Sequence, residues 1–197
     1  YIKKMDQVYS PQFEYQPNEP KSSFKSHLID FIESIVVIGA IFALVYLFIA
    51  QPHKVSGSSM YPTFVSGDYI LTDKVSYRFN LPKRGDIVVL KNPRNESQDF
   101  IKRIIALPGD NIKVLGGRVY INDLLLDELY LKPEIATEPR TFLHEGEEIK
   151  VWLNQYFIFV DNRNASSDSR EWGPITKEEI IGKVFFRYFP LQSFGTT

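Results

Sequence analysis

A mainly β, antiparallel domain behind one apolar helix is the fold class this sequence predicts, and three observations predict it. The uncharged run from Ser34 to Gln51 is about 18 residues, the length that crosses a bilayer's hydrocarbon core as a helix. After it the chain breaks into short runs rich in Val, Ile, Phe and Tyr. Between those runs lie turn doublets such as Gly116-Gly117 and Asn122-Asp123, each placed where a two-residue hairpin closes.

Taken in order, residues 1–27 are polar, carry Pro11, Pro17 and Pro20, and keep no helical or strand period, which describes a tail. Residues 28–51 form the predicted transmembrane helix, with Asp30 and Glu33 its only charges, both near the front. A buried core helix is the soluble alternative, but a β-rich domain needs none. No small-x-small site follows at Ala50-Gln51-Pro52, so the run reads as an uncleaved anchor. Lys3, Lys4, Lys21 and Lys25 precede the span and only His53 and Lys54 follow it closely, which by the positive-inside tendency places the tail in the cytoplasm.

Residues 52–197 hold the predicted β domain. Strand-like runs fall at 68–75, 86–91, 100–107, 111–115, 118–121, 149–153, 156–160 and 181–189. Gly85, Pro108-Gly109 and Asn154-Gln155 mark further reversals. A single helical turn is expected at 176–180, where Thr176 precedes Glu178 and Glu179. Between Lys113 and Tyr156 there is room only for hairpins, so the domain should be compact.

Composition narrows the function. Apolar residues are 44% of the 197 and aromatics 14%, enough for one packed domain with aromatic surface left over for a lipid or peptide partner. A net charge of −1 without a basic stripe gives nucleic acid nothing to bind. With no cysteine there are no disulfides or thiolate metal sites, and His27, His53 and His144 are scattered without metal-ligand spacing, so all three read as bland.

Three stretches carry chemistry. The first is Val55-Ser56-Gly57-Ser58-Ser59-Met60-Tyr61-Pro62-Thr63, a hydroxyl cluster on an irregular turn just after the anchor. A serine hydroxyl attacks an amide only if a base takes its proton, and no histidine here has a suggestive setting. The second stretch, Phe100 to Asp110, supplies another base. Alternation puts Phe100, Lys102 and Ile104 on one strand face, where desolvation lowers an amine's pKa. A move from about 10.4 to near 7.5 is roughly 4 kcal/mol, within reach of a buried site. Arg103, on the other face, cannot deprotonate. The third stretch is the polar block from Asp161 to Arg170.

In this order and behind a membrane segment, the three stretches resemble the type I signal peptidases of bacteria, over roughly residues 30 to 190. The resemblance implies a compact antiparallel catalytic domain, related to that of self-cleaving repressors, that cuts signal peptides after small-x-small sites. Ser59 then matches the nucleophile and Lys102 the general base, a recognised variant of the serine triad. Ser166 matches the serine that hydrogen-bonds the lysine, and Asp161, Asn162, Asp168 and Arg170 fall in the supporting scaffold. Two positions depart from the pattern. Gly57 stands where some members place an oxyanion-binding serine, leaving the Ser59 N–H with Ser58 or Ser56 as oxyanion donors; Val160 stands where many carry glycine. Met60, Tyr61, Pro62, Phe64 and Trp172 are expected to line substrate pockets or dip into the headgroup region. Neither cofactor nor metal is implied; the expected partners are preprotein signal peptides and the bilayer, and the expected setting is the bacterial cytoplasmic membrane, with the domain outside. Two rivals are a self-cleaving Ser/Lys protease and an inactive β domain that binds extracytoplasmic peptides.

Overall fold

The computed structural model describes residues 24–93, 95 and 97–196, so most of the tail read over 1–27 lies outside the described residues. The chain divides into two units, Tyr1–Ile41 and Phe42–Thr197. Helix α1 runs from Phe24 to Phe48 and buries none of its side chains. At 1.5 Å per residue its 25 residues extend roughly 37 Å, enough to cross a hydrocarbon core of about 30 Å. The helix is long and apolar enough to cross a membrane, with a mean hydropathy of 2.5 over its most apolar 18 residues. Within it, the Ser34 hydroxyl donates to the Asp30 carbonyl at 2.7 Å, so the polar side chain is satisfied by its own helix. The helix stops sooner than the apolar run does. Ala50 and Gln51 belong to a strand, and Pro52, two residues on, could not have continued a helical ladder.

The second unit is built of antiparallel strands: β1 (Ala50–Lys54), β2 (Tyr69–Asp73), β3 (Ile87–Lys91), β4 (Asp99–Ala106), β5 (Asn111–Leu115), β6 (Arg118–Ile121), β7 (Leu124–Leu125), β8 (Glu148–Lys150), β9 (Gln155–Phe159), β10 (Ile175–Thr176), β11 (Ile180–Phe189) and β12 (Gly195–Thr196). Among the described residues the larger sheet has the order β1-β2-β11-β3-β4-β9-β10, with β12 on β11, and the smaller has β7-β6-β5-β8. Pro52 is tolerated because β1 is an edge strand. The two turn doublets close as expected. Gly116 and Gly117 join β5 to β6, Asn122 and Asp123 join β6 to β7, and all four residues have positive φ, as a type I′ turn requires. At Gly182, β11 approaches β2 so closely that a Cβ would lie 2.2 Å from the Asp73 carbonyl oxygen.

Three apolar clusters hold the sheets. Ile105, Ala106, Phe157 and Phe159 of the larger sheet pack on Ile112, Val114, Val119 and Ile121 of the smaller one. On one side of β3, Ile87 and Val89 meet Val55, Met60, Phe64, Ile70 and Val184; on the other, Val88 and Leu90 meet Ile104, Tyr156, Ile158 and Ile175. A strand covered on both faces reads as an unbroken apolar run, and Ile87-Val88-Val89-Leu90 does. Two helices of four residues, α2 (Ser76–Phe79) and α3 (Ser169–Trp172), were not foreseen, being too short to show a period. The turn foreseen at 176–180 is a 3-10 turn, Lys177–Glu179, capped reciprocally by Thr176 and Glu179.

Candidate active site

Strand β4 sets the geometry. It pairs with β3 along Asp99 to Arg103, whereas β9 joins it only from Arg103 onward. The stretch from Asp99 to Lys102 therefore has a neighbour on one side and a pocket on the other. That pocket, of about 410 Å3, is lined on its second wall by the loop from His53 to Met60 and is closed by Ala165 and Ser166 of the polar block. Ser59, Lys102 and Ser166, separated by up to 107 positions in sequence, line the same cavity.

Lys102 is 1% exposed. It lies in the row Phe100, Lys102, Ile104 that strand alternation gives, its Nζ 4.8 Å from the centre of the Phe100 ring and donating to Ser166 Oγ at 3.4 Å. Burial pushes the amine down to about 8; the Asp168 carboxylate pulls it up and the Arg170 guanidinium pushes it further down. Those two opposing groups are themselves a pair, so burial is left to set the result. Arg170 donates to Asp168 through Nε at 2.9 Å and Nη2 at 2.7 Å, and both side chains are fully buried. Asp168 also accepts from the backbone N–H groups of Val160 and Arg170, capping α3.

The serine loop is clamped from the polar block. The Asn162 N–H donates to the Ser59 carbonyl at 2.9 Å and its side-chain amide to the Ser58 carbonyl at 3.1 Å. Next door, Asp161 accepts two bonds from Arg103, at 2.8 and 2.7 Å, and one from the Thr63 hydroxyl. Arg103 completes its set on the Gly85 carbonyl and lies 4.0 Å from the Tyr130 ring centre. The loop's turn is glycine-specific. Gly57 has a φ of +90° with open space where a Cβ would be, so any other residue there meets backbone strain rather than a clash.

Other expected site residues are placed differently. Phe64 does not reach the pocket or the surface; it is 1% exposed in the cluster with Val55 and Ile70, because its side chain turns under the loop. Met60 is as deeply buried but does form part of the pocket wall. Tyr61 and Pro62 are exposed beside the serine loop and Trp172 packs against the cluster around Tyr77, and none of the three lines the pocket. Val160 is buried and outside the pocket lining, so it does not narrow it. His53, read as bland, is a pocket residue. His53 stands six positions before Ser59 on the same approach to the turn, but nothing local in the sequence says which side of that approach faces the pocket.

A serine on a clamped turn and a lysine that burial lowers to about 8 line one pocket of an antiparallel sheet, the arrangement that a serine hydrolase with an amine as base would need. The comparisons with known proteins give the family. The family model described as "Signal peptidase, peptidase S26" matches residues 28–189, and the chain belongs to that family. It is 41% identical to a probable signal peptidase I-2 of Synechocystis sp., over 75% of this chain and 67% of that one. It is 34% identical to a signal peptidase I of Leptolyngbya laminosa, over 94% and 93%, and 30% identical to a signal peptidase IB of Staphylococcus aureus, over 86% and 94%. A crystal structure of a signal peptidase I from Enterococcus faecalis aligns at 27% identity over 53% of this chain and 97% of that one, with a TM-score of 0.44. The expectation of a signal peptidase is borne out, and the readings as a self-cleaving repressor or an inactive binding domain are set aside.

Proposed function

We propose that the chain releases translocated proteins from their signal peptides, with Ser59 as nucleophile and Lys102 as general base. The observation that carries the reading is a lysine 1% exposed, titrating near 8, in the pocket of a loop serine. Near neutral pH a useful fraction of such an amine is neutral, whereas a solvated lysine is almost wholly protonated. Ser59 Oγ attacks the scissile carbonyl as its proton passes to Lys102 Nζ. Lys102 then protonates the departing amine, and water, deprotonated by the same nitrogen, hydrolyses the acyl-enzyme. The Ser59 N–H is the oxyanion donor this scheme expects; such a donor is typically worth about 3 kcal/mol in the transition state. Ser166 orients the amine through a hydroxyl, which does not stabilise its charge as a carboxylate would. Asp168 with Arg170, and Asp161 with Arg103, hold the two stretches that bear these groups. No step calls for a metal or cofactor.

On this reading α1 anchors the chain in the bacterial cytoplasmic membrane, with the tail cytoplasmic and the β domain on the far side, where translocated chains emerge. The lysines before the span support that orientation. The pocket's walls of Val89, Ile101 and Met60 suit the small side chains of a small-x-small site. The test is cleavage of a peptide carrying an Ala-x-Ala site by the detergent-solubilised chain, beside Ser59→Ala and Lys102→Ala. A cut after the second Ala, lost by about 10^4-fold or more in both variants, is expected. Peptide bound by the wild-type chain without turnover would contradict the proposal.

A further inference from the structure

Asn162 does more to the serine loop than hold it down. Its side-chain amide donates to the Ser58 carbonyl at 3.1 Å and its backbone N–H to the Ser59 carbonyl at 2.9 Å. Those two oxygens belong to the peptide planes on either side of the Ser59 Cα, so one residue of the polar block fixes both. The Ser58 oxygen also accepts from the Tyr61 N–H at 3.1 Å, a bond within the turn that moves with it. Only the Asn162 amide ties that oxygen to the polar block, 104 positions away.

The Ser58 carbonyl and the Ser59 N–H are the two ends of one planar trans amide and point to opposite edges of it. Fixing the oxygen therefore fixes the direction of the hydrogen. Bonds accepted by the oxygen also polarise the amide and strengthen its N–H as a donor. Among the described residues that N–H has no acceptor. Its upstream neighbour is a poor substitute, because Gly57 has no hydroxyl and its N–H donates to Ser66 Oγ at 3.3 Å. The rest of the loop does not depend on the Asn162 amide. The Thr63 hydroxyl is held by Asp161, and the Thr63 carbonyl accepts from Arg187 at 3.0 Å.

We infer that Asn162 is a positioning residue for the oxyanion: its amide, acting on the Ser58 carbonyl, aims the Ser59 N–H at the oxygen that becomes charged when Ser59 attacks. This rests on the cleavage reaction proposed above. A donor aimed at developing charge acts in the transition state and hardly at all on the bound substrate, which separates this role from a general hold on the loop.

The experiment compares the full wild-type chain in detergent with Asn162→Ala and Asn162→Asp on an Ala-x-Ala peptide. It adds the same peptide ended at the scissile position as an aldehyde. Ser59 Oγ adds to the aldehyde carbon, its proton passes to Lys102, and the former carbonyl oxygen takes the oxyanion's place. Binding of the uncut peptide is measured with Ser59→Ala, alone and combined with Asn162→Ala. Losing an oxyanion donor outright costs about 10^2–10^3 in kcat, and one left in place but poorly aimed should cost about 30-fold. Asn162→Ala should lower kcat and aldehyde affinity by that same factor. KM, affinity for the uncut peptide, the unfolding midpoint and the pH at which activity rises should all stay put. Asn162→Asp, equal in shape but setting a carboxylate against the Ser58 carbonyl, should lose at least as much. Wild-type kcat in either variant would overturn the inference, as would equal losses of affinity for the aldehyde and the uncut peptide. A wild-type chain that binds the peptide without cutting it would instead sink the cleavage reading, and the role of Asn162 with it.

Discussion

The two faces of β4 treat neighbouring cations in opposite ways. Arg103 is given a carboxylate on two bonds, a carbonyl and an aromatic ring. Lys102, one residue earlier and more deeply buried, is given a hydroxyl at 3.4 Å and the Phe100 ring, and among the described residues no carboxylate lies within ion-pair distance of it. The arginine is permanently charged and locks Asp161 and the Thr63 loop into place. The lysine is left to titrate. A buried carboxylate partner would have held it protonated, so the lack of one is what the proposed role as base requires. Asp168, the carboxylate that pulls its pKa up, is already engaged by Arg170.

That contrast can be broken first on the scaffold side. Asp168→Ala strands the fully buried Arg170 guanidinium and removes the cap of α3, so it should cost about 3–5 kcal/mol of stability, read by denaturant unfolding in detergent. A loss below 1 kcal/mol would mean that the pair holds nothing. The reactive side should respond with the opposite sign. With its folded pKa near 8 against an unfolded value near 10.5, a charged Lys102 costs the folded state about 3 kcal/mol at low and neutral pH. The unfolded chain binds more protons between those two values, so wild-type stability rises from pH 8 towards 10.5. Lys102→Met should therefore be more stable than wild type at pH 7, by up to about 3 kcal/mol, and the gain should fade through that window. A destabilised Lys102→Met would contradict it. The smallest effect is at Ser166. Ser166→Ala removes one hydrogen bond from a half-buried hydroxyl and should lower kcat about tenfold, with KM and the unfolding midpoint nearly unchanged.

How much of this was legible in the sequence follows from the range of the contacts. The strands at 111–115 and 118–121 are read to the residue, because alternation and a two-residue positive-φ turn are local signals. The end of α1 was overshot by about a turn, since apolar character continues into β1 and only Pro52 marks the change. Lys102 could be singled out from its row of apolar neighbours, but the partners of its surroundings could not. Asp161 meets Arg103 across 58 positions, and Asn162 meets Ser58 across 104. Only the likeness of three motifs to a family joined those stretches in advance. His53 escaped even that, because its setting depends on a coiled sheet bringing β1 back to β4, and Phe64 was misplaced for the same reason: a loop's inward side is decided by what the sheet beneath it offers.

The most direct test of a neutral Lys102 as base is kcat/KM against pH, from 6 to 10, for the wild-type chain on an Ala-x-Ala peptide. Activity should rise with pH through an apparent pKa of about 8, the value burial gives the amine. A limb near 6.5, a limb above 10, or a flat profile would show that the proton goes elsewhere.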